Sequence, residues 1–389
     1  MTGGDGLPAG DLAVDRELAD VALGYRFLLD VTPVDLAEAR RRFFNQGRAP
    51  QFSYRPLEDD VAVVGERLAK VATHDVQDRT LSHLVKSKHR EVALQLEMLR
   101  CRGSSDFLPL SMELYGAVSP SLLATAEQLL DEIVVPPPDG EGWLDAVAFA
   151  ERAGAELDRY RQVCPDIAVR VAVRDDGTGV MFANGELMIA STARVPASRV
   201  DALVQHEIGT HVVTYVNGSR QPLRLLAAGL AGHDETQEGL AVLAEYLVGG
   251  LTPSRLRQLA ARVVAVHQMV EGASFPDVHR SLVGAGVPRV PAFTIAVRVF
   301  RSGGLTKDAV YLRGLMDLVA HLRAGGDLDV LWLGKMALAD APLVEELRSR
   351  GILLEPALRP RYLDDPAAQA RLGQAGTVAS LVDLMEVPV

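Results

Sequence analysis

The sequence predicts a mainly helical α+β protein with a small β-sheet. Apolar residues recur at three- and four-residue spacing over most of the 389 residues, which is typical of amphipathic helices. Between residues 167 and 191 this period gives way to alternation of apolar and polar residues, which is typical of strands. Hydrophobic residues make up 48% and charged residues 23%, as expected for a globular protein with a buried core.

The chain divides into three regions by composition. Residues 1–12 are Gly-rich and are predicted to be disordered. Residues 13–135 have a helical period, interrupted by Pro and Gly in FSYRPL and LPLSMELYG, and are predicted to form an N-terminal helical region. The Pro run in VVPPPDGEGW, residues 134–143, predicts an extended connector, and residues 136–389 then form the second domain.

Charge and cysteine usage exclude several classes of protein. The net charge of −11 lacks the global basic footprint of a nucleic-acid binder, so we expect no nucleic-acid partner. No apolar run reaches the roughly 18 residues of a membrane span, and we expect no membrane partner. The first residues lack the pattern of a secretory signal. Since Cys101 and Cys164 make no disulfide framework, we expect a reduced, cytoplasmic protein.

The second domain begins with a short helix, predicted at about 144–162, followed by strands. In IAVRVAVRDDGTGVMFANGELMIAS, residues 167–191, DDGTG separates two alternating runs and NGE breaks the second, which predicts a kink or another hairpin. Pro196 and Ser198 then open a helix. Further helices are predicted at 237–250, 254–271, 277–283, 306–323, 328–335, 340–349 and 376–386.

The predicted helix after Ser198 contains VQHEIGTH, in which His206 and His211 lie five residues apart. The familiar zinc-peptidase pattern H-E-x-x-H places its histidines four apart. On an ideal α-helix a five-residue separation turns the side chains by about 140°, so they diverge. A π-bulge, with about 4.4 residues per turn, reduces this to roughly 50°, and Gly209 lowers the cost of such a turn. The spacing therefore predicts a widened helix if the two histidines share a metal ion.

A hydrolytic zinc ion needs three protein ligands, an open position for water and a nearby base. Glu207 follows His206 directly, where the general base lies in the four-spaced motif. The third ligand can come from GHDETQEGLAVLAEYLVGG, residues 232–250, in which Asp234 is placed to cap the next helix. Glu238 and His233 are the alternatives for this ligand. Glu245, seven residues after Glu238, is expected to accept a buried hydrogen bond.

HEIGTH followed by QEGLA resembles the QEGLA-motif family, which includes the flavohaemoglobin expression-modulating proteins and the microtubule-associated tyrosine carboxypeptidases. The resemblance covers residues 167–323, including RVFRSGGLTKDAVYLRG, with shorter matches at FSYRPL and LYG. It implies a zincin-like metallopeptidase core with one Zn²⁺ per chain. By position, His206, His211 and Glu238 match the family's zinc ligands and Glu207 matches its base. The animal substrate is not carried over.

Polar residues that follow the metal motif are candidates for substrate binding. Arg298, Arg301 and Lys307 could bind a terminal carboxylate, which suits the guanidinium geometry. Tyr311 could donate to the developing oxyanion as a catalytic residue. The alternative for this segment is a helix capped by Thr306 with solvated arginines.

Asn184 could mark a rim of the substrate site, because an edge strand before the metal helix can pair with an extended peptide. The alternative is a tight Asn-Gly turn.

The sequence therefore predicts a zinc-dependent peptidase. By resemblance, its substrate is the C-terminus of a peptide or protein, with an aromatic last residue such as tyrosine. One alternative is a regulatory protein in which the metal is structural or sensory. Another is a zinc hydrolase that acts on a small amide conjugate.

Overall fold

The computed structural model describes residues 6–57, 60–136, 142–175 and 179–385. Within these ranges the chain is mainly helical and carries two small sheets, which confirms the predicted α+β class. None of the described helices is both long and apolar enough to cross a membrane.

Seven helices precede the Pro-rich segment. They are α1 (Ala9–Leu23), α2 (Phe27–Asp30), α3 (Leu36–Gln46), α4 (Val61–Lys70), α5 (Arg79–Arg100), α6 (Phe107–Tyr115) and α7 (Pro120–Glu132). The start of α1 corrects the prediction of disorder as far as residue 12, because residues 9–12 are helical; residues 1–5 lie outside the described ranges. The predicted connector is described only at 134–136 and 142–143.

Five strands precede or follow helix α8 (Ala146–Val163) along the chain. They are β1 (Trp143–Asp145), β2 (Arg170–Arg174), β3 (Val180–Ala183), β4 (Glu186–Ala190) and β5 (Arg194–Pro196). The sequence did not predict β1 and β5, which pair antiparallel. In the other sheet, β4 lies between β2, its parallel neighbour, and β3, its antiparallel neighbour. The Asn184-Gly185 turn joins β3 to β4 with positive φ at both residues, as a type I′ hairpin requires.

The helix that carries the motif contains the predicted widened segment. It runs without a break through α9 (Val200–Val204), a π-helix (Gln205–Val212) and α10 (Val213–Arg220). All of HEIGTH lies in the π-helical part, which confirms the conformation that the five-residue spacing required.

The remaining α-helices complete the fold. They are α11 (Leu225–Ala228), α12 (His233–Leu247), α13 (Pro253–Val270), α14 (Phe275–Gly284), α15 (Arg289–Phe300), α16 (Val310–Arg323), α17 (Ala341–Ser349) and α18 (Pro366–Ala375). Helices α11, α15 and α18 were not predicted from the sequence. Helices were also predicted at 328–335 and 376–386, where the described residues form only the short 3₁₀-helices Asp329–Trp332 and Leu381–Met385.

A continuous hydrophobic core joins the N-terminal helices to the rest of the chain. Leu84 of α5, Leu187 of β4 and Leu243 of α12 all belong to it. A smaller aromatic cluster, centred on Phe43 and Phe293, attaches α3 to α14 and α15. The N-terminal helices therefore pack as part of the same body, and the division of the chain near residue 135 stays a prediction.

Candidate metal centre

The π-helix and α12 bring three potential metal ligands together. Glu238 Oε2 lies 3.6 Å from His206 Nε2 and 3.8 Å from His211 Nε2, and the three ligand atoms all lie within 4.8 Å of one another. Ligand atoms about 2.1 Å from a tetrahedral zinc ion are about 3.4 Å apart. The two imidazoles and the carboxylate are therefore close enough to one another to be candidate ligands of one metal ion. Among the described residues this is the one such group of His, Cys, Asp and Glu.

Two glycines permit the close packing around these ligands. A Cβ on Gly209 would lie 2.4 Å from Gln205 Oε1 and 3.0 Å from a ring carbon of Tyr362. A Cβ on Gly239 would lie 2.4 Å from the carbonyl carbon of Gly314, so α12 and α16 touch through their backbones. Glu238 is thereby held at a fixed distance from the start of α16.

A buried carboxylate orients His206. The His206 Nδ1–H donates to Glu245 Oε1 over 2.8 Å, which leaves Nε2 directed to the metal site. Arg199 and Arg255 also donate to Glu245. Burial opposes the charge of this carboxylate, but Arg255, His206 and Arg199 hold its pKa well below its usual range. Such a partner fixes the imidazole tautomer and strengthens it as a ligand. The buried hydrogen bond expected of Glu245 is present.

Glu207 lies beside the ligands and is directed at the edge of the sheet. Only 5% of the residue is exposed. Burial and the charge of Glu238 raise its pKa to about 7, against the lowering effects of His206 and of a hydrogen bond from the Phe182 backbone N–H. Since Phe182 is in β3, the outer strand of its sheet, the free edge of that strand faces Glu207. A carboxyl group with this pKa can both accept and release a proton near neutral pH.

Lys307 holds Glu238 and does not face solvent. Its ammonium lies 2.9 Å from Asp234 Oδ1 and 3.4 Å from Glu238 Oε1, and only 3% of its side chain is exposed. This ion pair gives Lys307 a structural role, and the binding of substrate by Lys307 stays a prediction. The same ion pair gives Asp234 a partner. Asp234 lies in the first turn of α12 and does not cap this helix, because the N-cap residue is Gly232. His233 bonds through Nδ1 to the Leu230 carbonyl and is not part of the ligand group.

The other predicted substrate residues have hydrogen-bond partners within the protein. Arg298 makes two hydrogen bonds to Asp308, of 2.6 and 2.8 Å. Arg301 is buried and donates to Thr32 Oγ1, so it attaches the N-terminal region. Asn184 is exposed in its turn, and its described hydrogen bond, of 3.5 Å, goes to the Leu23 carbonyl. The structure therefore gives Asn184 the alternative role of a turn residue.

Tyr311 lies beside the ligand group, at the start of α16. Its ring centroid is 5.9 Å from Lys307 Nζ, and its hydroxyl makes no hydrogen bond within the described part of the chain. Burial and the charge of Glu238 raise its pKa, so the phenol keeps its proton.

Two basic residues near the site were not predicted from the sequence. The Arg262 guanidinium lies 4.9 Å from the Tyr311 ring centroid. Lys335 Nζ lies 5.6 Å from the ring centroids of both Phe182 and Tyr215. Arg262 had a sequence signal, since it is the charged residue in the otherwise apolar run AARVVAV; Lys335 had none.

Comparison with known proteins identifies the family of the chain. The sequence model of the family described as microtubule-associated tyrosine carboxypeptidase matches residues 41–379. The chain belongs to this family. The match extends beyond the motif segments at 167–323 and includes most of the N-terminal helical region.

Curated relatives carry the same name. Microtubule-associated tyrosine carboxypeptidase 1 of Mus musculus is 32% identical over 166 residues, covering 40% of this chain and 34% of that protein. The Rattus norvegicus protein is 30% identical over 178 residues, covering 43% and 36%. The Homo sapiens protein is 29% identical over 187 residues, with the same coverage. These matches span about a third of the length of the relatives.

Among solved structures, a chain from Colwellia psychrerythraea has a TM-score of 0.42 and 14% identity, covering 81% of this chain and 66% of that chain. At this score the likeness carries no argument about fold or function.

Proposed function

We propose that this chain is a zinc-dependent carboxypeptidase with a zincin-like core, which removes a C-terminal aromatic residue such as tyrosine. The observation that carries this proposal is the convergence of His206, His211 and Glu238, with Glu207 beside them. The names of the relatives support the reaction class and the tyrosine preference.

The donor set supports zinc as the metal. Two imidazoles and one carboxylate are a common ligand set of catalytic zinc. Burial lowers the pKa of His211 to about 3, which keeps this imidazole neutral and able to bind a metal. Zinc bound by these residues would lower the pKa of water towards about 7 and polarise the scissile carbonyl.

The protein's own residues then perform the proton transfers. Glu207 accepts a proton from the attacking water and passes it to the leaving amine. Tyr311 has a free hydroxyl with its proton retained, and it donates to the oxygen of the carbonyl under attack. Glu245 and Lys307 hold His206 and Glu238 in place throughout.

The edge strand supports a peptide as substrate. The outer edge of β3 lies next to Glu207, and an extended peptide can add to such an edge through backbone hydrogen bonds. A small amide conjugate would make no use of this edge. A regulatory metal site would have no need of a buried base beside its ligands.

Metal content is the first test. Elemental mass spectrometry of protein purified without added metal should give about one zinc per chain, with loss of zinc in Glu238→Ala. Glu207→Gln should keep zinc and lose turnover. Wild-type protein that takes up no zinc, or a Glu207→Gln variant that stays active, would contradict the proposed mechanism.

The carboxypeptidase assignment needs a separate test. Wild-type enzyme should cleave a peptide with a free C-terminus, and amidation of that terminus should strongly lower kcat/KM. Equal cleavage of both peptides would identify an endopeptidase. Zinc binding without cleavage of a peptide library would favour the regulatory alternative.

A further inference from the structure

Three arginines converge on one carboxylate beside the metal centre. Asp308 is fully buried and receives both hydrogen bonds of Arg298. Arg262 Nε lies 3.7 Å from the same carboxylate, and the charge of Arg301 also acts on it. One negative charge therefore faces three positive charges in a buried environment. Buried charges are costly unless they are paired, so this arginine cluster lacks an anion.

Arg262 is the member with no hydrogen bond. Only 8% of the residue is exposed, and its buried Nε has no hydrogen-bond partner. None of the described residues accepts a hydrogen bond from its guanidinium, which is fixed against the Tyr311 ring. Arg301 has a similar unpaired Nε, but its Nη1 is committed to Thr32. Arg262 thus has a fixed position and an unused set of donors.

Arg298 marks the side of the cluster that solvent reaches. Its Nε and Nη2 are used by Asp308, while Nη1 makes no hydrogen bond within the described residues. About a third of its side chain is exposed, at 31%, whereas Asp308 is not exposed at all. Arg298 is therefore the member of the cluster that an anion entering from solvent would meet first, and Arg262 contacts the same Asp308 carboxylate.

The cluster lies close enough to the metal ligands to act on the same substrate. Lys307 contacts Glu238 on one side and the Tyr311 ring on the other, and Arg262 stacks on that ring. In a carboxypeptidase the terminal carboxylate is one residue from the scissile bond, and successive Cα atoms are about 3.8 Å apart. The carboxylate must therefore bind next to the metal centre, where Tyr311 and Arg262 lie.

We propose that Arg262, together with Nη1 of Arg298, binds the terminal carboxylate of the peptide substrate and so makes the enzyme a carboxypeptidase. This inference rests on the proposed function and deepens it. The substrate carboxylate is thereby assigned to Arg262 of α13 and not to Lys307 and Arg301. Asp308 positions Arg298, and Tyr311 serves both the oxyanion and the stacking of Arg262.

The test compares two acetylated pentapeptides that end in tyrosine, one as the free acid and one as the amide. For wild-type enzyme the ratio of their kcat/KM values measures discrimination. In Arg262→Gln this ratio should fall about 10- to 100-fold, through a higher KM for the free acid and an unchanged rate for the amide. Zinc content should stay at the wild-type level.

Two further variants make the result decisive. Arg289→Gln removes a surface arginine that stacks on Phe44, 5.0 Å from the ring centroid, and should leave the ratio unchanged. Arg262→Lys keeps the charge without the planar fork, and should lose part of the discrimination. It answers the question if Arg262→Gln does not fold.

Failure of the inference and failure of the proposed function give different results. If wild-type enzyme prefers the free acid and both Arg262 variants keep that preference, the cluster is structural and the inference is wrong. If wild-type enzyme cleaves neither peptide, or both equally, the carboxypeptidase assignment fails and the inference fails with it. Binding of the two peptides to zinc-loaded Glu207→Gln should show the same preference without turnover.

Discussion

Replacing Glu245 by Gln should weaken zinc binding although Glu245 is not a ligand. The substitution keeps the shape of the side chain but removes the charge that binds the His206 Nδ1–H and two arginines. Loss of such a partner lowers metal affinity by about 10- to 100-fold. Arg199 and Arg255 are only 15% and 14% exposed, so they would be left buried without a counter-charge, at a cost of about 3–5 kcal/mol to the folded protein.

Glu156 offers a matched control. It is also a buried glutamate held by two arginines, Arg159 and Arg361, but it has no contact with the metal ligands. Its arginines are 56% and 43% exposed, so water can replace the lost partner. Zinc affinity, measured by competition with a chelator, should fall in Glu245→Gln and stay at the wild-type level in Glu156→Gln. Equal affinity in both variants would refute the role given to Glu245.

Two further predictions concern packing and pH. Gly239→Ala should destabilise the fold by about 1–3 kcal/mol and lower the zinc content, because the new Cβ would clash with the backbone of Gly314. Gly154→Ala is the control, since Gly154 in α8 has open space around it and the substitution should not destabilise the fold. Urea denaturation measures the stability of both variants, and elemental analysis measures their zinc content. Burial raises the pKa of Asp15 from 3.8 to about 6, against two backbone hydrogen bonds, so its contribution to stability is complete below pH 3.8 and is lost as pH rises through 6. The wild type should therefore lose up to about 3 kcal/mol relative to Asp15→Asn between pH 4 and 7, and a pH-independent difference would refute this.

The local geometry of the metal site could be predicted because it depends on spacing within a single helix. Two histidines five residues apart can share an ion only where the helix is widened, and Gly209 permits that turn. Glu238 is different, because its partnership with His206 joins two helices. A known motif supplied that long-range information, and periodicity could not.

The partners of several polar side chains could not be predicted, because these partners come from elements distant in the sequence. Lys307 has the chemistry to bind a substrate carboxylate, but Asp234 and Glu238 already occupy it. The sequence predicted a helix around Arg262 but no role for this residue. Its position beside the site depends on how α13 packs against Tyr311. Helix α15 was missed because RVPAFTIAVRVF is apolar on most faces, which hides the helical period.

The contact between Gly239 and Gly314 changes how the QEGLA segment should be understood. Its glutamate belongs to the candidate metal centre, whereas its glycine lies where the backbone of α16 packs directly against α12. A search that scores the segment as a catalytic signature is therefore also detecting a helix crossing. A natural substitution of Gly239 would therefore lower activity as the loss of an active-site residue does, although its cause would be a steric clash. A compensating substitution elsewhere on α16 could relieve that clash.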